Sequence, residues 1–537
     1  MSISLKNLTV NRLVRSLLTF TFLSLFILPT FSQNNERIEI PIRSERDFFN
    51  VINLGEYGAL MLYGNARSSM DAVFYNTDLK QQWSNSLQID PKSQFVESCQ
   101  EGGVVYLLFG NDSRRIFEIF RISCNIGLIQ QYAFNSLPNF DINQFKVNRE
   151  TAYLGGNIKK EPVILSIELG ERTPRVITGG FRERANLQSV EFTQDGNISA
   201  SYILSRKRRN IIVIKEIAAF GKVVDQKSIE PKKGYTFING KLFQLGEDKQ
   251  VVIGNYGTGS TSNGLSVSQG IYIISKLDLR ENQQKVDYYS FTEFSSFFDF
   301  LSKKRQDKIE KQAKRKKSRG GELRLDYKLL VHDLIKDDDG FLLVADVFKP
   351  IIRANNFNNF GTMPGGMMPL GMNRFYNPFI MSPLHYSRFA MMNSSAWYPW
   401  NGGGNTSIEG FDYTHAFMVA FDNDGNIKWD NSIVYDDVKS YDLQEKISVA
   451  QTKDSFYVAY TDQSKLSLAV IDENGVTADK ETLVVRKENE SIKETEFSDA
   501  SFWYGNNFLY WGYQKIKTND EGKRKVFFIT KVQFDAR

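Results

Sequence analysis

Four methionines, Met363, Met367, Met368 and Met372, crowd one short stretch of the chain. Thioethers are the soft ligands that copper(I) prefers, and His385 is the imidazole nearest to supplement them. Their spacing is loose for a metal site. With Phe375, Tyr376, Phe379, Trp397 and Trp400, the same side chains form an adaptable apolar surface of the kind proteins use to bind partners. We read the set as partner-binding, with metal capture as the lesser alternative, and expect no resident metal or cofactor. The chain has three histidines, His332, His385 and His415. None has a second His at i+4 with a Glu between, so a zincin helix is excluded, and no G-x-S-x-G turn or P-loop occurs. Asp422-x-Asp424-Gly425 mimics part of a calcium loop. Its Gly comes too early and no Glu stands at the twelfth position, so it reads as a hairpin turn. Asp337-Asp338-Asp339-Gly340 reads the same way. Cys99 and Cys124 are the two cysteines. A disulfide between them needs both at loop ends, and two buried thiols are the alternative. Neither sits in a C-x-x-C or beside a His, so no catalytic residue is nominated.

The elements that must position these residues are legible from a repeat. Residues 418–433, MVAFDNDGNIKWDNSI, align without a gap on residues 72–87, AVFYNTDLKQQWSNSL. Val73 matches Val419, Asp78 matches Asp424 and Trp83 matches Trp429. A recurring strand–turn–strand phrase with a fixed Trp marks a β-repeat protein, and the Trp reads as a packing residue between repeats. The turn between the last two strands of each unit falls near Leu79, Gly127, Gly170, Gly221, Glu281, Gly425 and Gly475, spacings that mostly suit four short strands. Runs such as 104–109, 116–122, 251–255, 341–347 and 456–460 are β-branched or aromatic and bounded by turn residues. Seven units account for residues 46–487. The remainder supplies three strands and lacks a fourth, which residues 37–42 can provide. The expectation is all-β: a single eight-bladed β-propeller closed by an N-terminal strand. Seven blades is the alternative, if residues 136–180 are a linker.

The motif AFDNDGNIKW, residues 420–429, resembles the A-x-D-x-x-T-G-x-x-x-W repeat of quinoprotein-like propellers. Asp422, Gly425 and Trp429 keep the residue types, with one residue fewer before the Gly. AVIDENG, residues 469–475, keeps the Asp and Gly, with Asp479 where the Trp would be. Quinone dehydrogenases of this class carry an adjacent Cys pair that this chain lacks. In outline the chain is similar to the eight-bladed quinoprotein-like scaffolds of outer-membrane barrel assembly. It departs from them in lacking a lipid-attachment Cys and in carrying two insertions.

Residues 1–32 read as a signal peptide. Lys6, Arg12 and Arg15 precede an apolar run over 17–28, and Thr30 and Ser32 set cleavage before Gln33. The ending Phe-Ser-Gln resembles secreted proteins of Gram-negative Bacteroidota. The expected address is periplasmic or outer-membrane-associated, with secretion as the alternative. The propeller then occupies 33–537. The near-balanced charge of +5 gives no ground for nucleic-acid binding.

Two insertions interrupt the pattern. In 292–322, Phe294, Phe297, Phe298 and Leu301 fall at i, i+3, i+4 and i+7, the stripe of a short helix. A basic run follows: Lys303, Lys304, Arg305, Lys308, Lys311, Lys314, Arg315, Lys316 and Lys317, closed by Arg319, against Asp307 and Glu310. Such a helix suits water alone, an acidic partner or anionic membrane headgroups. The second insertion, 352–410, holds seven of the eleven Met, is rich in Pro, Gly and aromatics, and has no acidic residue over 350–408. A loop this long is usually functional or disordered. We expect it to dock an envelope protein, such as an outer-membrane barrel, or else to fold over its own ring. The expected function is a non-catalytic scaffold for protein–protein interaction. The alternative is a propeller-type glycan hydrolase or lyase whose carboxylates meet in the central channel.

Overall fold

The computed structural model describes residues 36–534, apart from 259–267, 355–405, 484–489 and stretches of one to four residues elsewhere. The strands form eight antiparallel sheets. In chain order these are blades 1 (48–88), 2 (94–135), 3 (140–178), 4 (185–229), 5 (235–290), 6 (328–440) and 7 (447–483). Blade 8 combines 490–533 with the N-terminal strand Arg37–Pro41. Residues 140–178 make a complete four-stranded sheet, so the count is eight, not seven.

The strands adopt this arrangement because most of them are apolar on both faces, the pattern of a sheet covered on both sides. In strand Ala59–Gly64, Leu60 and Leu62 pack toward blade 2 while Ala59 and Met61 pack toward blade 8. Each of the eight junctions between neighbouring blades encloses its own apolar cluster, including the junction of blades 8 and 1. The ring is therefore closed. The N-terminal strand completes it as the outermost strand of blade 8, with Arg37 opposite Thr530 and Pro41 opposite Val526. Glu39 is buried there between Arg37, at 2.8 Å, and Arg524, at 2.8 Å.

The repeat phrase is an inter-blade tie. Its two copies have the same register, Phe74 opposite Trp83 and Ala420 opposite Trp429, with a bulge at the same place. Trp83 donates from Nε1 to the carbonyl of Cys124 at 2.7 Å, and Asn85 donates to that of Gly127 at 2.8 Å, both in blade 2. Asn431, the counterpart of Asn85, donates to the Asp472 carbonyl of blade 7 at 2.8 Å. Trp429 packs on Phe456 of the same blade. The left-handed turn position is Gly425 in one copy, at φ 85°, and Leu79 in the other, at φ 54°. Burial of the Leu79 side chain offsets the backbone strain that Gly avoids.

Cys99 and Cys124 are free thiols. Cys124 packs between blades 1 and 2, and Cys99 packs between blades 2 and 3. They point to opposite faces of one sheet, so the candidate disulfide does not form. Burial pushes the Cys124 thiol up to about 11 and the Cys99 thiol higher still, where Glu97 adds to the effect. Both are inert at neutral pH.

Candidate functional site

The first strand of each of blades 1 to 7, and Glu490–Tyr504 in blade 8, is innermost, and innermost strands touch between blades 2 and 3, 3 and 4, 4 and 5, and 7 and 8. Innermost strands in blades 2 to 6 share an irregularity. Pairing slips by one residue at Phe95/Glu97, Ile142/Gln144 and Leu187/Ser189. It also breaks between Phe237 and Lys241, and between Val331 and Ile335. A bulge re-aims side chains out of the normal alternation. Here it turns polar groups toward the next blade. Asn143 Nδ2 donates to the Leu187 carbonyl at 3.4 Å, and Gln188 Oε1 accepts from Gly240 N at 3.4 Å.

Charged groups follow the same path around the axis. Lys146 of blade 3 meets Glu191 of blade 4 at 2.6 Å, and Lys241 of blade 5 meets Asp333 of blade 6 at 2.7 Å. His332 Nε2 lies 2.7 Å from the fully buried Asp346, and its Nδ1 is 3.8 Å from Glu445, in the link that leads into blade 7. Asp346 also accepts from Lys446 N at 2.8 Å and from the Tyr435 hydroxyl. Asp499 of blade 8 feels Lys446 and Glu445. Asp333 is 90% exposed to water yet enclosed by protein on most sides, as a group projecting into a channel would be.

The electrostatics follow from these neighbours. Lys241 holds the Asp333 carboxyl below its ordinary range. Burial pushes Glu191 up, against the pull of Lys146. Burial disfavours the His332 imidazolium, but the Glu445 and Asp346 carboxylates outweigh it and raise its pKa. Burial raises Asp499 to about 6, opposed by Lys446. Asp499 is thus shifted up to about 6 and His332 holds its proton more tightly than a free imidazole, on adjoining parts of one polar belt. No group of three or more His, Cys, Asp or Glu among the described residues is placed to hold a metal ion. The Asp422 carboxylate is taken up by its own turn, accepting from Asp424 N, Asn426 N and Asn426 Nδ2, each at 2.8 Å.

A second candidate region is one face of the ring. Strand order puts two kinds of link on that face: the connections from one blade to the next, and the hairpins between second and third strands. The 292–322 insertion is a link of the first kind, between blades 5 and 6. The 352–410 insertion is of the second kind, within blade 6, between strands Gly340–Ala354 and Thr406–Asp422. Both therefore leave from the same face.

The phenylalanine stripe of the first insertion is not an α-helix. Residues Phe291–Glu293 form a 3-10 turn and irregular turns follow. The backbone is diverted by a non-local anchor. Ser295 and Ser296 donate from both N and Oγ to the Asp430 carboxylate of blade 6, at 2.7 to 3.1 Å. Phe291, Phe294 and Phe297 are thereby buried at the junction of blades 5 and 6. Only the basic part is helical, Lys303–Lys317, and no residue in it is buried. Beyond it, Glu322 accepts from the hydroxyls of Tyr235 and Tyr256 of blade 5. Phe297 and Phe300 also enclose His415, on the strand leading out of the second insertion, with Phe300 stacked at 4.7 Å. The first insertion thus grips the root of the second.

All nine basic residues predicted as a patch, from Lys303 to Lys317, lie on this one helix. Met363, Met367, Met368, Met372, Phe375, Tyr376, Phe379, Trp397 and Trp400 lie outside the described residues, as does the 1–32 segment. Sequence reasoning allowed that carboxylates meet in the channel but did not assemble this belt. Its members are far apart in the chain, and no single-sequence signal joins them.

A search of protein-family profiles found no match, and no curated protein matches the chain. Solved structures do resemble it. The polysaccharide lyase Uly1 is 10% identical, over 93% of this chain and 99% of that one, at a TM-score of 0.39. The Dos1 propeller is 8% identical, over 83% and 93%, at 0.37. Prolyl oligopeptidase B from Galerina marginata is 7% identical, over 87% of this chain and 56% of that one, at 0.38. Likenesses this distant carry no argument about activity. The protein is an eight-bladed β-propeller on the evidence of its own strand pairing.

Proposed function

We propose that the protein is a non-catalytic β-propeller scaffold that holds a partner protein on its decorated face, within a cell-envelope complex at the periplasmic or outer-membrane side. One observation carries the reading. Four hydrogen bonds to Asp430, three buried phenylalanines and a Glu322–tyrosine clasp fix in place a helix with no fully buried residue of its own. A helix meant only to fill solvent needs no such mounting. The 352–410 loop leaves from the same face and brings the Met and aromatic side chains suited to an envelope protein, an outer-membrane barrel among them. Export by the 1–32 signal, a quinoprotein-type repeat and a Bacteroidota-type origin belong to the same reading. It requires neither a cofactor nor nucleic acid.

The test is crosslinking and pull-down in cells. The intact protein is compared with a form in which residues 352–410 are replaced by a short Gly-Ser linker, once that form is shown to be folded and exported. Recovery of a specific envelope partner that the replaced form loses supports the scaffold. Identical recoveries remove the loop as the contact.

A second reading, a glycan hydrolase or lyase working in the channel, is favoured by one arrangement. His332 is oriented by Asp346 and faces Glu445, with Lys241 and Asp333 beside it. General acid–base chemistry asks for groups titrating near the working pH. Turnover of any anionic or neutral glycan that His332→Gln abolishes, in a protein still folded, would establish it.

A further inference from the structure

Ion pairing sorts the cations of the helix Lys303–Lys317 into two sets. Lys303 pairs with Asp307 at 3.7 Å, Lys314 with Glu310, and Lys317 with Glu293 at 3.3 Å. Lys304, Arg305, Lys308, Lys311, Arg315 and Lys316 have no ion-pair partner among the described residues. Four of these six, Lys304, Lys308, Lys311 and Arg315, are spaced i, i+4, i+7 and i+11. At about 3.6 residues per turn, these four lie along a single stripe of the helix. Of the half-buried residues Gln306, Asp307, Ile309 and Ala313, the first and the last two form another stripe, at i, i+3 and i+7. The two stripes are on opposite sides of the helix. Gln306 Nε2 donates to the Leu301 carbonyl at 2.9 Å, which fixes the half-buried side against the turns that precede the helix. The unpaired stripe therefore faces outward.

We propose that the outward stripe of Lys304, Lys308, Lys311 and Arg315 is a docking rail for an acidic protein segment, such as a helix or strand bearing Asp or Glu at each turn or at alternate residues. The proposal rests on the scaffold reading and names the partner's chemistry. Neighbouring cations three and four apart stand about 5–6 Å from one another at Cβ, the separation of acidic side chains on successive turns of a partner helix. The rail runs for roughly 16 Å. Its only apolar side chains, Ile309 and Ala313, face the body of the protein, so it has nothing to insert below a lipid headgroup layer. It also has no aromatic side chain on which a nucleic-acid base would stack. What remains is a fixed row of positive charge with a linear geometry.

The test uses the full chain and a variant carrying Lys304→Gln, Lys308→Gln, Lys311→Gln and Arg315→Gln, all at exposed sites. A control carries Lys222→Gln, Lys227→Gln and Lys233→Gln on blade 4 and the segment following it. Circular dichroism and thermal unfolding establish that all three are folded. The probes are a fluorescent helical peptide with Glu at i, i+4, i+7 and i+11, and vesicles of phosphatidylcholine with 30% phosphatidylglycerol. The expected result is peptide binding that weakens as NaCl rises from 50 to 200 mM, falls at least tenfold in the rail variant and is unchanged in the control. Equal peptide binding by the rail variant overturns the proposal. So does binding to vesicles with none to the peptide, which would assign the rail to a membrane surface. If the rail variant still recovers the partner in cells and the loop-replaced form does not, the rail is refuted while the scaffold reading stands.

Discussion

His415 should make the decorated face labile to acid. The side chain is fully buried in an aromatic cage of Phe297, Phe300 and Phe417. The Thr414 hydroxyl spends its single proton on the Val347 carbonyl, at 3.2 Å. His415 Nδ1, 2.9 Å from that oxygen, must then be the donor, and Nε2 has no hydrogen-bond partner among the described residues. Burial lowers the pKa from 6.5 to about 3. The folded state thus keeps a neutral ring where the unfolded chain binds a proton. The stabilising contribution is fully present above pH 6.5 and is lost progressively as pH falls toward 3. Each unit below 6.5 costs about 1.4 kcal/mol, so near pH 5 the loss is about 2 kcal/mol. The perturbation is His415→Leu, which removes the titration whatever its constant effect on packing. The assay is urea unfolding at pH 8, 7, 6 and 5, with hydrogen exchange of residues 291–301 reporting on the insertion. The variant should gain on the wild type by about 2 kcal/mol between pH 7 and pH 5. Parallel curves over that range would refute the argument, because they would mean that the ring is already charged in the folded protein or reaches water.

Asp499→Asn should act in the opposite direction. Its raised pKa means that ionisation costs stability as pH rises through about 6, so the amide should stabilise by up to about 2–3 kcal/mol at pH 8 and by little at pH 4. A thermal-unfolding series in pH reads the difference. Glu39→Ala leaves two arginines facing each other in the closing sheet and should cost about 3 kcal/mol, seen as early proteolytic loss of the N-terminal strand. Asp430→Ala frees the donors of Ser295 and Ser296. It should raise hydrogen exchange in 291–301 and speed tryptic cutting in the basic helix, at a cost of about 1–3 kcal/mol. Asn431→Ala removes one tie between blades 6 and 7 and should cost about 1 kcal/mol in urea unfolding.

The architecture was legible because it is written in local and periodic signals. The gapless match of 72–87 to 418–433 survives as identical register, and Leu79, Gly127, Gly170, Gly221, Gly425 and Gly475 mark the turns they were expected to mark, while Glu281 lies outside the described residues. The orphan strand at 37–42 found its sheet because three C-terminal strands lacked a fourth. Non-local chemistry was not legible. Phe294, Phe297, Phe298 and Leu301 have helical spacing, but the carboxylate that redirects their backbone is Asp430, over a hundred residues away. The channel belt failed for the same reason. Lys146, Glu191, Lys241 and Asp333 sit on four different sheets, and the bulges that aim such groups leave no mark in a hydrophobic pattern. The cysteines misled because proximity in the chain says nothing about which side of a sheet each thiol faces.

Closure of the ring by its first strand sets an order of events. Glu39 waits for Arg524, 485 residues later, so the first of the described strands is among the last to be paired. Without blade 8, blades 1 to 7 would be an open arc whose two end sheets each expose an apolar face, the halves of the clusters at its junctions with blades 1 and 7. Nothing within the arc rewards closure before the last three strands exist. Completion of the C-terminal blade covers both of those apolar faces at once and closes the ring. A truncated or stalled chain would be prone to join its arc to a neighbour's.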